Sequence, residues 1–191
     1  MRYYRFDGYL IAKMQGITME QAQEASEEMR YEAYRECLKR CGEKRPCSTR
    51  TMKRWFAVDE YHKPGREQLL KLFFALGLSA EEAEEWLVNG ALEPGFQVND
   101  FREFFMMYGL EHHFTYEKCQ EMIGTFLGQM SPDILMEQHH ETGKMWEAYR
   151  QNCNMPEDQF MELALSMQKY FKGYSMTVLE YFRDLMKFWD I

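Results

Sequence analysis

Cysteine and histidine side chains that lie near one another in the sequence could form a metal site. Cys37 and Cys41 are four residues apart, a spacing that places both thiols on one face of a helix, and Cys47 and His62 follow them. A structural zinc site needs four converging ligands, and this spacing is not that of a zinc finger or ribbon. We therefore interpret these cysteines as small core residues and predict no bound metal.

The chain carries no sequence signature of a common enzyme class. It contains no HExxH, no P-loop, no GxGxxG and no GxSxG. The neighbouring histidines at 112–113 and 139–140 point in different directions on a helix, so they do not make the i, i+4 face that a metal requires. Cys119 and Cys153 have no activating base near them in sequence. We predict a non-enzyme with no catalytic residues and no cofactor.

Positive charge is concentrated in one segment of an otherwise acidic chain. Residues 35–66 contain ten basic and four acidic residues, a local charge of +6, whereas the whole chain carries −8 and its remainder therefore −14. A basic segment on an acidic chain is typical of a local contact with an anionic partner, although a charge run can also be a solvated helical face.

Helical periodicity runs through the whole sequence, and no alternating strand pattern is present. Capping boxes are predicted at Thr18 with Gln21 and at Ser79 with Glu82, and Ser48 is predicted to cap a short helix. The predicted helices are 18–41 with a break near 29, 49–56, 66–76, 79–90, one from 99, one from 115, one from 131 with a break near 143, 156–173 and 177–190. The expected fold is all-α, a compact array of short helices joined by short loops.

Composition and apolar runs bound the cellular context. No apolar run approaches the roughly 18 residues of a membrane span, and the N-terminal segment lacks the apolar core of a secretory signal. Five cysteines without scaffold spacing indicate reduced thiols. We expect a cytoplasmic protein with no membrane partner.

The segment around the capped helix at 49–56 contains several spaced features that together match one known arrangement over about 45 residues. These are Cys47 at the small apolar position, Ser48 at the cap, Met52 and Trp55 at the inward positions of the recognition helix, Lys63-Pro64 in the following loop, and Leu76-Gly77-Leu78-Ser79 at the later turn. Together these residues resemble the second half of a Cro/lambda-repressor-type (XRE family) helix-turn-helix domain. The resemblance implies a diverged helix-turn-helix over about residues 10–90.

The upstream half is similar to the family with one departure. Residues 16–22, GITMEQA, look like the usual opening of the second helix, yet Cys47 comes 25 residues after Ala22. One alternative is an insertion of roughly fifteen to twenty residues before the recognition helix. The other is that residues 30–41 form the second helix and EKRP lengthens the turn. In both, the turn that sets the docking angle on DNA is altered.

The resemblance implies a transcription regulator that reads double-stranded DNA with the 48–56 helix. Thr49, Arg50 and Thr51 would contact bases, with Lys53 or Arg54 beside them, because Arg pairs with guanine edges and Thr contacts a base or a thymine methyl. Lys44, Arg45, Ser48, Lys63 and Arg66 would contact phosphates, which position a protein without specifying sequence.

The predicted domains are 1–92, the diverged helix-turn-helix, and 93–191, a helical region with a hairpin at 99–128 and helices at 131–191. Aromatic residues in the last helices, such as Phe188 and Trp189, exceed what one core stripe needs and could form a homodimer or bind a protein partner. An alternative function is therefore a helical adaptor or inhibitor with a repurposed helix-turn-helix, as in prokaryotic phage or mobile-element defence.

Overall fold

A computed structural model describes residues 4–130 and 141–172, and all regular elements in these ranges are helices. No strand occurs in them, and none of their helices is both long and apolar enough to cross a membrane. The all-α prediction is confirmed.

Ten α-helices follow one another along the described ranges, with a π-helical turn (Trp86–Gly90) after α6 and a 3₁₀ turn (Gln168–Tyr170) after α10. The α-helices are α1 (Phe6–Gln15), α2 (Met19–Gln23), α3 (Glu27–Cys41), α4 (Thr49–Trp55), α5 (Arg66–Leu76), α6 (Ala80–Glu85), α7 (Phe101–Glu111), α8 (Tyr116–Gln129), α9 (Thr142–Asn152) and α10 (Glu157–Ser166).

The capping signals seen in the sequence begin helices where they were predicted. Thr18 and Gln21 form a reciprocal capping box at α2, and Ser79 and Glu82 form one at α6. The Ser48 hydroxyl accepts a hydrogen bond from the Thr51 N–H at the start of α4. Each of these bonds satisfies an N–H that has no partner inside its helix, which is why these positions set the helix starts.

Three predicted helix boundaries differ in the structure. The break expected near residue 29 lies earlier, because Ser26 takes an extended conformation and its hydroxyl accepts the Met29 N–H, so that α3 starts at Glu27. Gly143 lies in the first turn of α9 and does not end a helix there. The helix predicted over 156–173 is shorter, because α10 ends at Ser166, a 3₁₀ turn follows it and Phe171 is extended. The helix starts predicted at 131 and 177 lie outside the described residues.

The described residues divide into two compact units. Unit 1 contains residues 4–96 and 106–119, and unit 2 contains residues 97–105, 120–130 and 141–172. The N-terminal half of α7 and the C-terminal part of α8 thus contribute to unit 2, and the rest of both helices to unit 1.

The core of unit 1 is built around two buried tryptophans. The Trp86 ring meets the rings of Phe6, Tyr9 and Phe73 edge to face, with centroid distances of 5.8, 6.1 and 6.1 Å. Trp55 is fully buried on α4. These contacts pack α1 and α5 against the end of α6 and bury one whole face of α4.

A buried ion pair also connects the helices of unit 1. Arg30 on α3 binds the Asp7 carboxylate of α1 at 2.5 Å, and it donates to the carbonyl oxygens of Ala25 at 3.2 Å and Phe56 at 3.3 Å. Arg5 adds two bonds to Asp7, of 2.7 and 2.6 Å. Burial raises the pKa of Asp7, but the hydrogen bonds and charges of Arg5 and Arg30 outweigh it and hold the pKa below the usual 3.8.

Unit 2 has an aromatic core of its own. Phe104 stacks on Phe160 with centroids 4.9 Å apart and meets Tyr149 and Phe171 edge to face. Phe105 and Phe126 lie 5.4 Å apart beside this group. The apolar residues that the sequence predicted on helical stripes at 101–126 and 160–171 supply this core, although Phe171 lies beyond α10 in an extended conformation.

We expect Asp7→Asn to lower the free energy of unfolding by about 2–4 kcal/mol at neutral pH, because Arg30 would keep its buried charge without a counter-charge. The folded pKa of Asp7 lies below the unfolded value, so its stabilisation is present above about pH 4 and is lost as the pH falls through the folded pKa. Urea unfolding at pH 7 and pH 3 measures both effects. Glu32→Gln, an exposed site on α3, is the control, and equal losses in the two variants would contradict the role of the pair.

Ala57 follows α4 with φ +51°, a left-handed conformation that strains residues carrying a Cβ. Ala57→Gly is expected to raise the free energy of unfolding by about 0.5 kcal/mol, since relief of this strain exceeds the added chain entropy of glycine. Ala12→Gly, in the regular helix α1, should instead lower it by about 1 kcal/mol. Thermal unfolding of both variants checks this difference in sign.

Candidate nucleic-acid interface

The helix α4 is fixed along its inner face and open at its first residues. Met52, Trp55 and Phe56 are fully buried, whereas Ser48, Thr49 and Arg50 are exposed. The Tyr34 hydroxyl of α3 donates to the Thr49 carbonyl at 3.1 Å, and Arg30 holds the Phe56 carbonyl. Both ends of the α4 backbone are thereby attached to α3, which leaves the side chains of residues 48–51 on the surface.

The connection before α4 joins it to α3, which is compatible with both arrangements that the sequence left open. The helix directly before α4 is α3, which packs against α4, and residues 42–48 join them. Gly42 ends α3 with φ +54°, and Arg45 folds back to donate its Nε–H to the Gly42 carbonyl at 2.9 Å. The connection is thus seven residues long and includes the EKRP sequence.

Three cations of the predicted site remain open to solvent. Lys44, Arg45 and Arg50 are exposed, and in the described ranges none of them forms an ion pair. They lie in the connection and on the second residue of α4. The hydroxyls of Ser48 and Thr51, at the start of the same helix, are 2.9 Å apart. We call Lys44, Arg45 and residues 48–51 the α4 tip.

The remaining two cations of α4 face acidic residues of the loop that follows. Lys53 Nζ lies 3.2 Å from Asp59, and Arg54 Nη2 lies 3.7 Å from Glu60. This loop is itself held in place, because His62 N–H donates to the Arg54 carbonyl at 3.2 Å and the Tyr61 ring packs under the Arg5 guanidinium at 4.3 Å. The loop that carries the two acids is therefore attached beside the C-terminal end of α4.

Lys63 and Arg66 are bound within unit 1. Lys63 Nζ donates to the Ala91 carbonyl at 2.9 Å and to the Glu93 carboxylate at 2.5 Å. Arg66 donates to the carbonyls of residues 94 and 95, at 2.6 and 2.9 Å. Their partners lie about thirty residues further along the chain, so no local sequence rule identifies them. Both side chains attach the loop that follows the π-helical turn to the rest of unit 1.

The cysteines near α4 pair rather than cluster. Cys37 and Cys41 are buried with their sulfurs 4.0 Å apart. Their mutual hydrogen bond raises the pKa of Cys37 and lowers that of Cys41. Cys47, expected in the core, is half-buried, and burial raises its pKa. Within the described part of the chain, no three histidine, cysteine or acidic residues are grouped as metal ligands.

Two positioning residues were missed from the sequence alone. Arg30 and Tyr34 hold the ends of α4 through its carbonyl oxygens. A faint signal was present, since Tyr34 has the spacing of Cys37 and Cys41 on the buried face of α3. Hydrogen bonds to backbone carbonyls, however, do not depend on the side-chain type of the partner, so sequence pattern gives no indication of them.

Comparison of the chain with known protein families, curated proteins and solved structures finds no match. The resemblance to Cro-type domains therefore stays a prediction from sequence.

We expect Arg66→Ala to lower the free energy of unfolding by about 1–2 kcal/mol, because two backbone carbonyls lose a charged donor. Arg35→Ala should change it by less than about 0.5 kcal/mol, since Arg35 is exposed on α3 and has no polar partner in the described ranges. Urea unfolding of both variants measures the difference. Comparable stabilities would show that the Arg66 contacts are not stabilising.

Proposed function

We propose that this protein is a non-enzymatic regulator that binds double-stranded DNA through the α4 tip. The observation that carries the proposal is the contrast between the two faces of α4. Its inner face is completely buried and its backbone is attached at both ends, yet its first residues expose only polar and basic side chains. A rigid helix that presents Thr, Arg and Thr side chains has the chemistry needed to read a major groove.

The local charge supports the same function. The tip belongs to the +6 segment of a chain whose remainder carries −14, so an anionic polymer is attracted at this one place and repelled elsewhere. Among the predicted base readers, Arg50 is exposed and forms no ion pair in the described ranges. Its guanidinium can form a bidentate contact with guanine. We assign it the principal base contact.

Arg50→Ala is expected to weaken binding to a duplex selected from a random pool by at least about tenfold, because a bidentate base contact and one charge are lost. Fluorescence anisotropy measures the affinity, and circular dichroism verifies that the helical content is unchanged. Arg35→Ala removes the same charge from the outer face of α3 and should have a much smaller effect. Equal affinities of wild type and Arg50→Ala would contradict the assignment.

A second candidate is a protein-binding adaptor, and the length of the connection between α3 and α4 favours it. Seven residues replace the tight turn that fixes the docking angle in DNA-reading domains. A surface with these residues can equally bind an acidic protein face. Purification of the tagged chain from its native cells, with one stoichiometric protein partner and no enriched DNA, would support this candidate against the first.

A further inference from the structure

The seven cations of the predicted interface fall into two groups by what they contact. Lys44, Arg45 and Arg50 are exposed and form no ion pair within the described ranges, although the charge of Lys44 helps to lower the pKa of Glu117 on α8. The other four have partners inside unit 1. Lys53 and Arg54 face Asp59 and Glu60, and Lys63 and Arg66 bind the loop at residues 91–95. The two groups lie in different places. The free cations lie before α4 or at its start, whereas the engaged cations lie in its C-terminal half or after it.

We infer that the DNA-contacting surface is confined to the α4 tip and that Asp59 and Glu60 exclude the phosphate backbone from the other end of α4. This inference rests on the proposed function and limits the DNA-contacting residues to six of the ten predicted ones. In it, Lys53 and Arg54 are neutralised by the loop, and Lys63 and Arg66 are structural.

The loop acids can exclude phosphate because they are held in position. Tyr61 and His62, the two residues after Glu60, are fixed by the Arg5 contact and by the Arg54 carbonyl. A phosphate that approached Lys53 or Arg54 would meet two solvent-exposed carboxylates at close range, and like charges this close oppose its approach most at low salt. Exposed ion pairs add little to stability, so these acids can be neutralised without unfolding the protein.

Lys63 and Arg66 are unavailable to phosphate for a different reason, because both are already bound within unit 1. Lys63 would have to leave the Ala91 carbonyl and the Glu93 carboxylate to reach a phosphate, and Arg66 would have to leave two carbonyls of the same loop. Carbonyl oxygens that lose a charged donor are left poorly satisfied, which opposes the exchange. A contact between the DNA backbone and Lys63 or Arg66 would therefore require breaking existing hydrogen bonds of unit 1.

The salt dependence of binding distinguishes a surface confined to the α4 tip from one that uses all seven predicted cations. Each phosphate neutralised by a cation adds about −0.9 to the slope of log affinity against log salt. Three free cations predict a slope of about −3 per protomer, whereas participation of all seven predicts about −6. The experiment titrates wild-type protein onto a short duplex of random sequence between about 50 and 200 mM KCl, with fluorescence anisotropy as the readout.

The double variant Asp59→Asn/Glu60→Gln tests the excluding role directly. It should bind the random duplex roughly tenfold more tightly at low salt and steepen the slope by about 2, because Lys53 and Arg54 become available. Glu81→Gln/Glu85→Gln is the matched control. It gives the same change in net charge on α6, at exposed carboxylates without ion pairs in the described ranges, and should have a much smaller effect.

The outcomes distinguish this inference from the function on which it rests. A wild-type slope near −6, or unchanged affinity of Asp59→Asn/Glu60→Gln while the wild type binds, overturns the narrow surface and leaves DNA binding intact. A gain as large in the Glu81→Gln/Glu85→Gln control assigns the effect to net charge and also overturns it. Failure of both the wild type and the loop variant to bind any duplex overturns the function and the inference together.

Discussion

The buried ion pair between Asp7 and Arg30 is the interaction on which the arrangement of unit 1 depends. Arg30 satisfies the Asp7 carboxylate and two backbone carbonyls, one between α2 and α3 and one at the end of α4. A guanidinium is suited to this place because its five donors can serve several acceptors at fixed angles while it stays charged. Three segments that are distant in sequence are thereby joined at one side chain.

This constraint determines what α4 can present to a partner. A helix of seven residues is not stable by itself, so its position must come from tertiary contacts. Its apolar face supplies the burial, and Tyr34 and Arg30 hold its two ends. The exposed first turn is therefore rigid because of residues on α3, which themselves make no contact with a ligand in the proposed function.

The basic segment illustrates how charge in a sequence differs from charge available at a surface. Ten basic residues in 35–66 suggested a broad surface for an anionic partner. Arg40 pairs with Glu36 on its own helix, Lys53 and Arg54 face loop acids, and Lys63 and Arg66 hold carbonyl oxygens. Only the Arg40–Glu36 pair has the local i, i+4 spacing that a sequence can indicate, whereas the others are made across loops and between elements, so a count of charges cannot reveal them.

Much of the fold was predictable because its signals are local. The caps at Thr18, Ser48 and Ser79 lie within three residues of the groups they satisfy, and the apolar stripes of α4 and α5 follow helical periodicity. The break before α3 was misplaced by a few residues, because Ser26 gives a weaker pattern than a glycine or proline would. The partial exposure of Cys47 was also not predictable, since a small residue gives little indication of its burial.

The sequence by itself determined that the chain is helical, where its capped helices begin, which faces are apolar, and that positive charge gathers around α4. Only the tertiary structure decided which of those charges are free, how the ends of α4 are held, and which helix precedes it at the connection. The physical reason is the range of the forces. Helix propensity, capping and periodicity act over a few residues, whereas ion pairs and hydrogen bonds to carbonyls join groups that the fold alone brings together.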